Sequence, residues 1–469
     1  MSRGRNLVSV RGHDTTDRDG ALPKALNDIR RKRAYLFSRY LPDPTHGYHP
    51  QDIKNVLVVI SASRSGSSLF YHLLASHPAT LAPQGEEITF YKLAGLGLVE
   101  SVTASHAISN VSSISAAARA ELALDILRDS GYPYNPSVDL EFPVERYLVD
   151  SAQRLLLQWP EIDFDCDHLY QTARAILEPQ LCREHVFDAD RYWLDLLSTL
   201  IAQGHPINPY YYDLPRELIA RRHPKLPRID GPPSASICLE EPPFIVPSPK
   251  VFPKLGEGTD PCLLLKSSSN CYRLEFMQSL YPNAQFSFIH LTRNPAAVVN
   301  GLMDGWLSHG FYSESLAGVA VLDIKGYTSK QHPWSRYWWN FDSPPGWIDY
   351  IDQPLERVSA FQWGAANQHV LDAIESGVIS RYIVTKYEDV LHAETMQREF
   401  IKALEFAHLA QDAWPYGFKL PAPVMAVNPP GARKWLKRAP LILPAIREAG
   451  IAAVARRLNY NVDAADEFV

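Results

Sequence analysis

Apolar residues run unbroken from Val56 to Ile60 in NVLVVIS. Such a run predicts a strand buried on both faces, as in a parallel sheet. A Ser/Gly turn follows, then apolar positions at helical spacing to about His77. Gly85 to Lys92 forms a second short block. In residues 101–230 the pattern changes to period 3.6. AAARAELALDILRDSG and DADRYWLDLLSTLIAQG each carry an apolar stripe that stops at a glycine, which predicts helices. Residues 231–261 hold eight prolines and read as an irregular linker. Strand patterning resumes with CLLLK and with FSFIHLT, Phe286 to Thr292. Helices are expected from about Pro295 and over about Leu355 to Glu375, with a strand in RYIVTKYEDV from Arg381. Residues 308–355, dense in Trp, Tyr, His and Pro, read as a long loop region.

Strands alternating with helices predict an α/β fold with a parallel sheet flanked by helices and a large, mostly helical insertion. The expected organisation is an arm and basic helix over 1–50, with 24–41 as that helix and 1–20 disordered. A core follows over 51–100 and 261–445, interrupted by a helical block and linker over 101–260. A tail closes the chain over 446–469.

Composition narrows the function. The chain has 469 residues, 46% hydrophobic and 21% charged, enough for a large core. A net charge of −6 argues against a nucleic-acid footprint. The polar start, MSRGRNLVSVRGHDTTDRDG, has no apolar segment of the secretory kind, and no run reaches the length of a membrane span. Five scattered cysteines without a CxxC pair speak against disulfides and a cysteine zinc site. The expectation is a cytoplasmic protein in a reducing compartment, with no metal.

The turn after the first strand is Ser63-Arg64-Ser65-Gly66-Ser67-Ser68. A strand, a glycine turn and a helix make an anion site, because first-turn N–H groups point at the ligand and the helix dipole adds positive charge. The nucleoside-triphosphate version of this loop carries G-x-x-x-x-G-K-[ST]. Here Ser61 stands at the first Gly and Ser67 at the Lys. That departure disfavours a kinase or nucleotide hydrolase. Taken alone, the pattern is also how a chain makes a tight turn.

R-S-G-S-S-L followed by L-A-S-H-P, Arg64 to Pro78, resembles the 5′-phosphosulfate loop of the P-loop sulfotransferase family. FSFIHLTRNPAAVVNGL is similar to that family's second element, in which an Arg at a strand end binds a 3′-phosphate. The resemblance covers about 55–92 and 261–440, with features of bacterial members and of the protein-tyrosine sulfotransferase branch. It implies 3′-phosphoadenosine 5′-phosphosulfate (PAPS) as co-substrate and 3′,5′-adenosine bisphosphate as product. Arg64, Ser65, Gly66, Ser67 and Ser68 would hold the 5′ end, and Arg293 the 3′-phosphate. The family usually has Ser eight residues after that Arg. Gly301 stands there, and Asn300 is the expected substitute. VTKYEDV resembles the family's Y-E-D-L strand end and places Tyr387 near the nucleotide. Glu388 and Asp389 are expected to cap the following segment. In NPPGARKWLKRAP, Lys434 and Trp435 are candidates to close over it; the same stretch reads equally as a basic surface.

Lys266, at the end of CLLLK, resembles the Lys that contacts the phosphosulfate, and it is the candidate to stabilise the leaving group. Gly85-Glu86-Glu87 resembles the family's G-E-E segment and implies Glu87 as the base, with Glu86 as the alternate. The catalytic set is therefore Glu87, Glu86, Lys266 and Arg64. No histidine has metal-ligand spacing. His309 and His332 are kept only as acceptor-site candidates. Trp306, Phe311, Trp334, Tyr337, Trp338, Trp339 and Trp347 either line an acceptor pocket or pack a long loop. The acceptor is a small molecule, lipid or glycan bearing a hydroxyl or amine. The block 101–260 would cap that site or form a homo-oligomer interface. A family member that binds adenosine bisphosphate without catalysis remains the other reading.

Overall fold

The computed structural model describes residues 18–468, apart from 109, 140, 184–186, 254–259, 309, 392 and 411–432. Of residues 1–20, expected to be disordered, 1–17 lie outside the described residues, as does His309, whereas 18–20 already belong to a helix. The strands are β1 Asn55–Ile60, β2 Thr80–Pro83, β3 Ser130–Pro133, β4 Lys250–Val251, β5 Cys262–Lys266, β6 Gln285–Thr292, β7 Tyr312–Ser315, β8 Trp338–Asn340 and β9 Tyr382–Lys386. Seven form one sheet in the order β4-β3-β2-β5-β1-β6-β9, and β7 with β8 form a separate ribbon. From β2 to β9 every pairing is parallel. The fold is mixed α/β, as the alternation of patterns predicts.

The β1 run is apolar at every position from Val56 because the sheet is covered on both faces. Val56, Val58 and Ile60 enter the larger core. Leu57 and Val59 point the other way, onto Phe70, Leu74, Phe400 and Leu404. Register aligns Val59 with Lys266 and Ile60 with His290, so the ends of β5 and β6 flank the turn after β1. The chain leaves β1 toward β2 on one side and later reaches β6 on the other. In open α/β sheets ligands bind outside the carboxyl ends of the strands at such a switch point.

The block 101–260 carries the helices Ala116–Asp129, Val144–Gln158, Cys166–Arg183, Ala189–Ala202 and Arg216–Arg222. It also supplies β3 and β4, which extend the sheet by antiparallel pairing. Both strands are too short to leave a periodic trace in the sequence. Arg154 stitches the block together. Its guanidinium is fully buried, reaches Glu240 at 2.8 Å and also pairs with Asp129. Two carboxylates around one buried guanidinium satisfy charges that would each be costly alone.

The basic helix forms over Arg18–Tyr40 and packs on Val144–Gln158 through Leu26, Ile29, Leu36 and Phe37. The helix expected over Leu355 to Glu375 has those bounds. The stretch 308–355 is more ordered than a loop. Its β7–β8 ribbon and an edge-on stack of Trp306, Trp339 and Trp347, with centroids 5.2 and 5.6 Å apart, form a packed unit. The segment 446–469 is not a loose tail. It carries a helix, Ala449–Arg457, and buries Tyr460 and Phe468.

Candidate active site

The turn after β1 begins with Ser63, whose hydroxyl donates to Asp342 at 2.9 Å. Arg64 has a left-handed backbone, φ 66°, and Gly66 follows at φ 89°. Only glycine fits at 66. A Cβ there would lie 2.1 Å from the Tyr387 ring. The helix Ser67–Ala75 then starts, so the N–H groups of its first turn have no intrahelical acceptor.

Tyr387, the residue after the last of β9, therefore lies directly against the loop. The Arg293 guanidinium stacks on its ring at 4.8 Å, and Arg293 Nη1 donates to the Arg64 carbonyl at 3.3 Å. Arg64 lies over Phe311 at 5.1 Å. Burial, then the neighbouring Arg293 charge, push the Arg64 guanidinium down to about 10. Two guanidinium groups held side by side on one turn suit a bound anion.

The second element is held from behind. Asn294 caps the helix Pro295–Leu307 by accepting from Ala297 N–H at 2.8 Å. Glu388 accepts from the Asn294 backbone and side chain at 2.8 and 2.9 Å, and from Tyr460 at 3.1 Å. Glu388 thus braces the Arg293 turn rather than the segment that follows it. Gly301 faces the loop, where a Cβ would come within 3.3 Å of Arg64 Cβ. A side chain at 301 would therefore press on Arg64. Asn300 is buried beside it. Its Oδ1 accepts from Arg438 at 2.9 Å, and Arg438 also pairs with Asp304 at 2.6 Å. The sequence reading missed Arg438, four residues beyond Lys434. Trp435 is buried and packs edge-on against Phe468, so its ring belongs to the core. Lys434 opens the short turn Lys434–Arg438 and is half-buried.

At the end of β5, Lys266 Nζ donates to Ser68 Oγ at 3.2 Å and pairs with Glu86. These three side chains converge at the N-terminus of the helix Ser67–Ala75. Glu87 is turned the other way and is fully buried. Its carboxylate accepts from Asn270 Nδ2 and, at 3.3 Å, from the Lys266 amide. Burial raises its pKa, against the lowering effect of the Asn270 bond. Behind it, Arg273 stacks on Tyr91 at 4.6 Å, and its pKa is lowered, chiefly by burial.

Of the aromatics nominated for an acceptor pocket, Trp306, Trp338, Trp339 and Trp347 are spent on core packing. Phe311 is buried too, and the Arg64 guanidinium lies over its ring. His332 pairs with Asp230 at 3.0 Å.

A model of the sulfotransferase family matches residues 57–342, well over half of the chain. The chain belongs to the sulfotransferase family. A sulfonate donor is what that membership implies, and the matched span contains the loop, Glu86, Glu87, Lys266 and Arg293. Among solved structures the chain is similar to a sulfotransferase domain from the curacin biosynthetic pathway, at 12% identity and TM-score 0.35, covering 87% of this chain and 99% of that one. It is also similar to a sulfotransferase domain from the Synechococcus PCC 7002 olefin synthase, at 14% identity and TM-score 0.35, covering 88% and 99%. Both likenesses are too distant to bear on the site. No curated protein matches the chain. Among the described residues no cluster of His, Cys, Asp and Glu could hold a metal ion, and no helix is long and apolar enough to cross a membrane.

Asp342, under the loop, gives a pH prediction. It is buried between Ser63 and Tyr272, which donates at 2.5 Å, and burial pushes its carboxyl up to about 6. The folded chain then holds this proton more tightly than the unfolded chain. Its contribution to stability is complete below the ordinary value of 3.8 and is lost as pH rises through about 6. Asp342→Asn removes that loss. Urea unfolding should show the variant gaining on wild type by roughly 2–3 kcal/mol between pH 4 and pH 7. A difference that does not change with pH would contradict it.

Proposed function

We propose that the chain is a PAPS-dependent sulfotransferase that moves the sulfonate onto a hydroxyl or amine by in-line displacement. The observation that carries this reading is the convergence of Lys266, Ser68 and Glu86 on the N-terminus of the phosphate-loop helix. A phosphosulfate needs amide donors for its phosphate, a cation at the bridging oxygen and a base on the acceptor side. The first-turn amides, Lys266 and Glu86 supply these three within one site. Arg64, Arg293 and Tyr387 form a second cationic and aromatic cluster against the same loop, suited to a 3′-phosphate and an adenine ring.

Glu86, rather than Glu87, is the proposed base. The Glu86 side chain is 40% exposed, whereas Glu87 is enclosed and committed to two donors. In the proposed step the acceptor O–H gives its proton to the Glu86 carboxylate. The acceptor oxygen forms the new S–O bond as the bond from sulfur to the bridging oxygen breaks. The bisphosphate leaves with its new charge on Lys266. No magnesium clamp is required, in keeping with a loop that carries Ser67 in place of the triphosphate-binding Lys.

Thermal shift tests the reading without knowledge of the acceptor. At 100 times its Kd, 3′,5′-adenosine bisphosphate should stabilise the protein by about 2.7 kcal/mol. ATP with magnesium should do little. Stabilisation by magnesium–ATP alone would overturn the proposal. Release of bisphosphate from PAPS, screened across phenols, alcohols and amines, then identifies the acceptor class.

A further inference from the structure

Glu87 belongs to a closed, buried circuit that the proposed chemistry does not use directly. It stands at the start of the helix Ile88–Leu93, and Lys92 lies near the other end. Lys92 is fully buried and pairs with Glu314 at 2.8 Å, on β7. Glu314 Oε1 lies 3.0 Å from His106 Nε2. His106 Nδ1 lies 2.8 Å from Ser269 Oγ and accepts the Ser343 amide at 3.2 Å. Ser269 adjoins Asn270, whose side chain returns to Glu87. Every member is at least nine-tenths buried.

The hydrogen bonds fix the tautomer. The Ser343 N–H can only donate, so His106 Nδ1 is an acceptor and its ring proton sits on Nε2, facing Glu314. Ser269 then donates its hydroxyl proton to Nδ1. The imidazole is a rigid strut between a buried ion pair and the turn that follows Lys266. Burying Lys92 and Glu314 brings little stability by itself, since desolvation offsets much of the attraction. A role in fixing geometry explains the arrangement better. Arg273 adds to it, donating from Nε to the Ser269 carbonyl at 3.2 Å.

We propose that His106 is a positioning residue for sulfonate transfer: it anchors Ser269 and Asn270 to the Lys92–Glu314 pair, and through Glu87 sets the height of Lys266 beside Glu86 and Ser68. The proposal rests on the sulfotransferase reading. It involves no contact between His106 and substrate. What the circuit controls is the Lys266 amide, held by Glu87, and hence the aim of the Lys266 side chain.

Three variants test it. His106→Leu keeps the approximate volume and removes both struts. His106→Gln can still accept at one end and donate at the other. Ser269→Ala cuts a single link and changes little volume. The leucine variant should lose about 30-fold in turnover of PAPS, followed as bisphosphate release, a loss within the range of a misplaced catalytic group. Its KM for PAPS and its Kd for the bisphosphate should stay within about threefold, because the loop, Arg64 and Arg293 are untouched. The glutamine variant should recover most of the rate, and Ser269→Ala should lose about tenfold. Hydrogen exchange over residues 266–270 in the bisphosphate complex needs no acceptor. It should quicken in the leucine and alanine variants and not in the glutamine variant.

Wild-type turnover and exchange in the leucine or alanine variant would overturn the proposal. So would a loss of rate that tracks an equal loss of bisphosphate affinity, with no rescue by glutamine. A wild-type protein that fails to bind the bisphosphate would overturn the sulfotransferase reading itself, which separates the two failures.

Discussion

Gly66→Ala is expected to weaken nucleotide binding at least about 100-fold while leaving the fold in place. The new methyl would sit 2.1 Å from the Tyr387 ring, and the backbone there is left-handed at φ 89°. Strain at φ alone costs about 1 kcal/mol or more for a residue with a Cβ. The contact is worse, because Arg293 already stacks on the same ring. Either Tyr387 swings away and takes the Arg293 guanidinium with it, or the loop lifts and its amides lose their common aim. Both routes damage the anion site. Calorimetric titration with 3′,5′-adenosine bisphosphate should show Kd raised at least about 100-fold, roughly 2.8 kcal/mol. The melting temperature without nucleotide should fall by only a few degrees, since Gly66 itself contributes no side chain to either core. Adding Tyr387→Ala removes the clash and should restore part of the affinity despite the lost ring. A Kd within threefold of wild type in Gly66→Ala would mean that this loop does not hold the phosphate.

That loop was the most legible part of the chain, for a physical reason. A strand buried on both faces must be apolar at every position, and the turn after it must carry residues that tolerate its backbone. Both signals are local. The helix Leu355–Glu375 was equally legible because its stripe runs for five turns. What could not be read was built from short or distant pieces. β3 has four residues and β4 has two, and they pair across more than a hundred positions. The Ser130-Gly131 pair, read as a helix stop, also begins a strand. The β7–β8 ribbon hid in a stretch whose aromatic density reads equally as loop packing. The resemblance pointed to Asn300 as a polar group on the second phosphate element, but not to Arg438, which reaches it from the far end of the chain. His106 carried no signal at all. It stands alone in a Ser/Ala-rich segment, and its partners come from β7 and the turn after β5.

The two adjacent carboxylates show the same limit and give the second large prediction. Residues that follow one another at a helix start point in different directions, so sequence alone cannot say which faces the site. In the structure Glu86 reaches Lys266 from a partly exposed position, and Glu87 turns inward to Asn270 and the Lys266 amide. Removing the base should cost about 10²–10⁴ in rate and leave ground-state binding alone. Glu86→Gln is therefore expected to lose at least 100-fold in kcat for PAPS turnover, with bisphosphate affinity within about threefold. It should also lose the acid limb of the pH profile of kcat/KM, since that limb reports the free enzyme's base. Glu87→Gln behaves differently. Its amide removes the charge that the Asn270 and Lys266 N–H groups share, and only its oxygen can accept from either of them. The variant should melt lower and lose about tenfold in rate through a displaced Lys266, yet keep the acid limb. The two profiles measured side by side decide the matter. A flat acid side in Glu87→Gln with a normal one in Glu86→Gln would return the base to Glu87. It would then require the buried circuit to open during turnover, because a carboxylate held by two donors and sealed from solvent cannot meet an acceptor hydroxyl where it now stands.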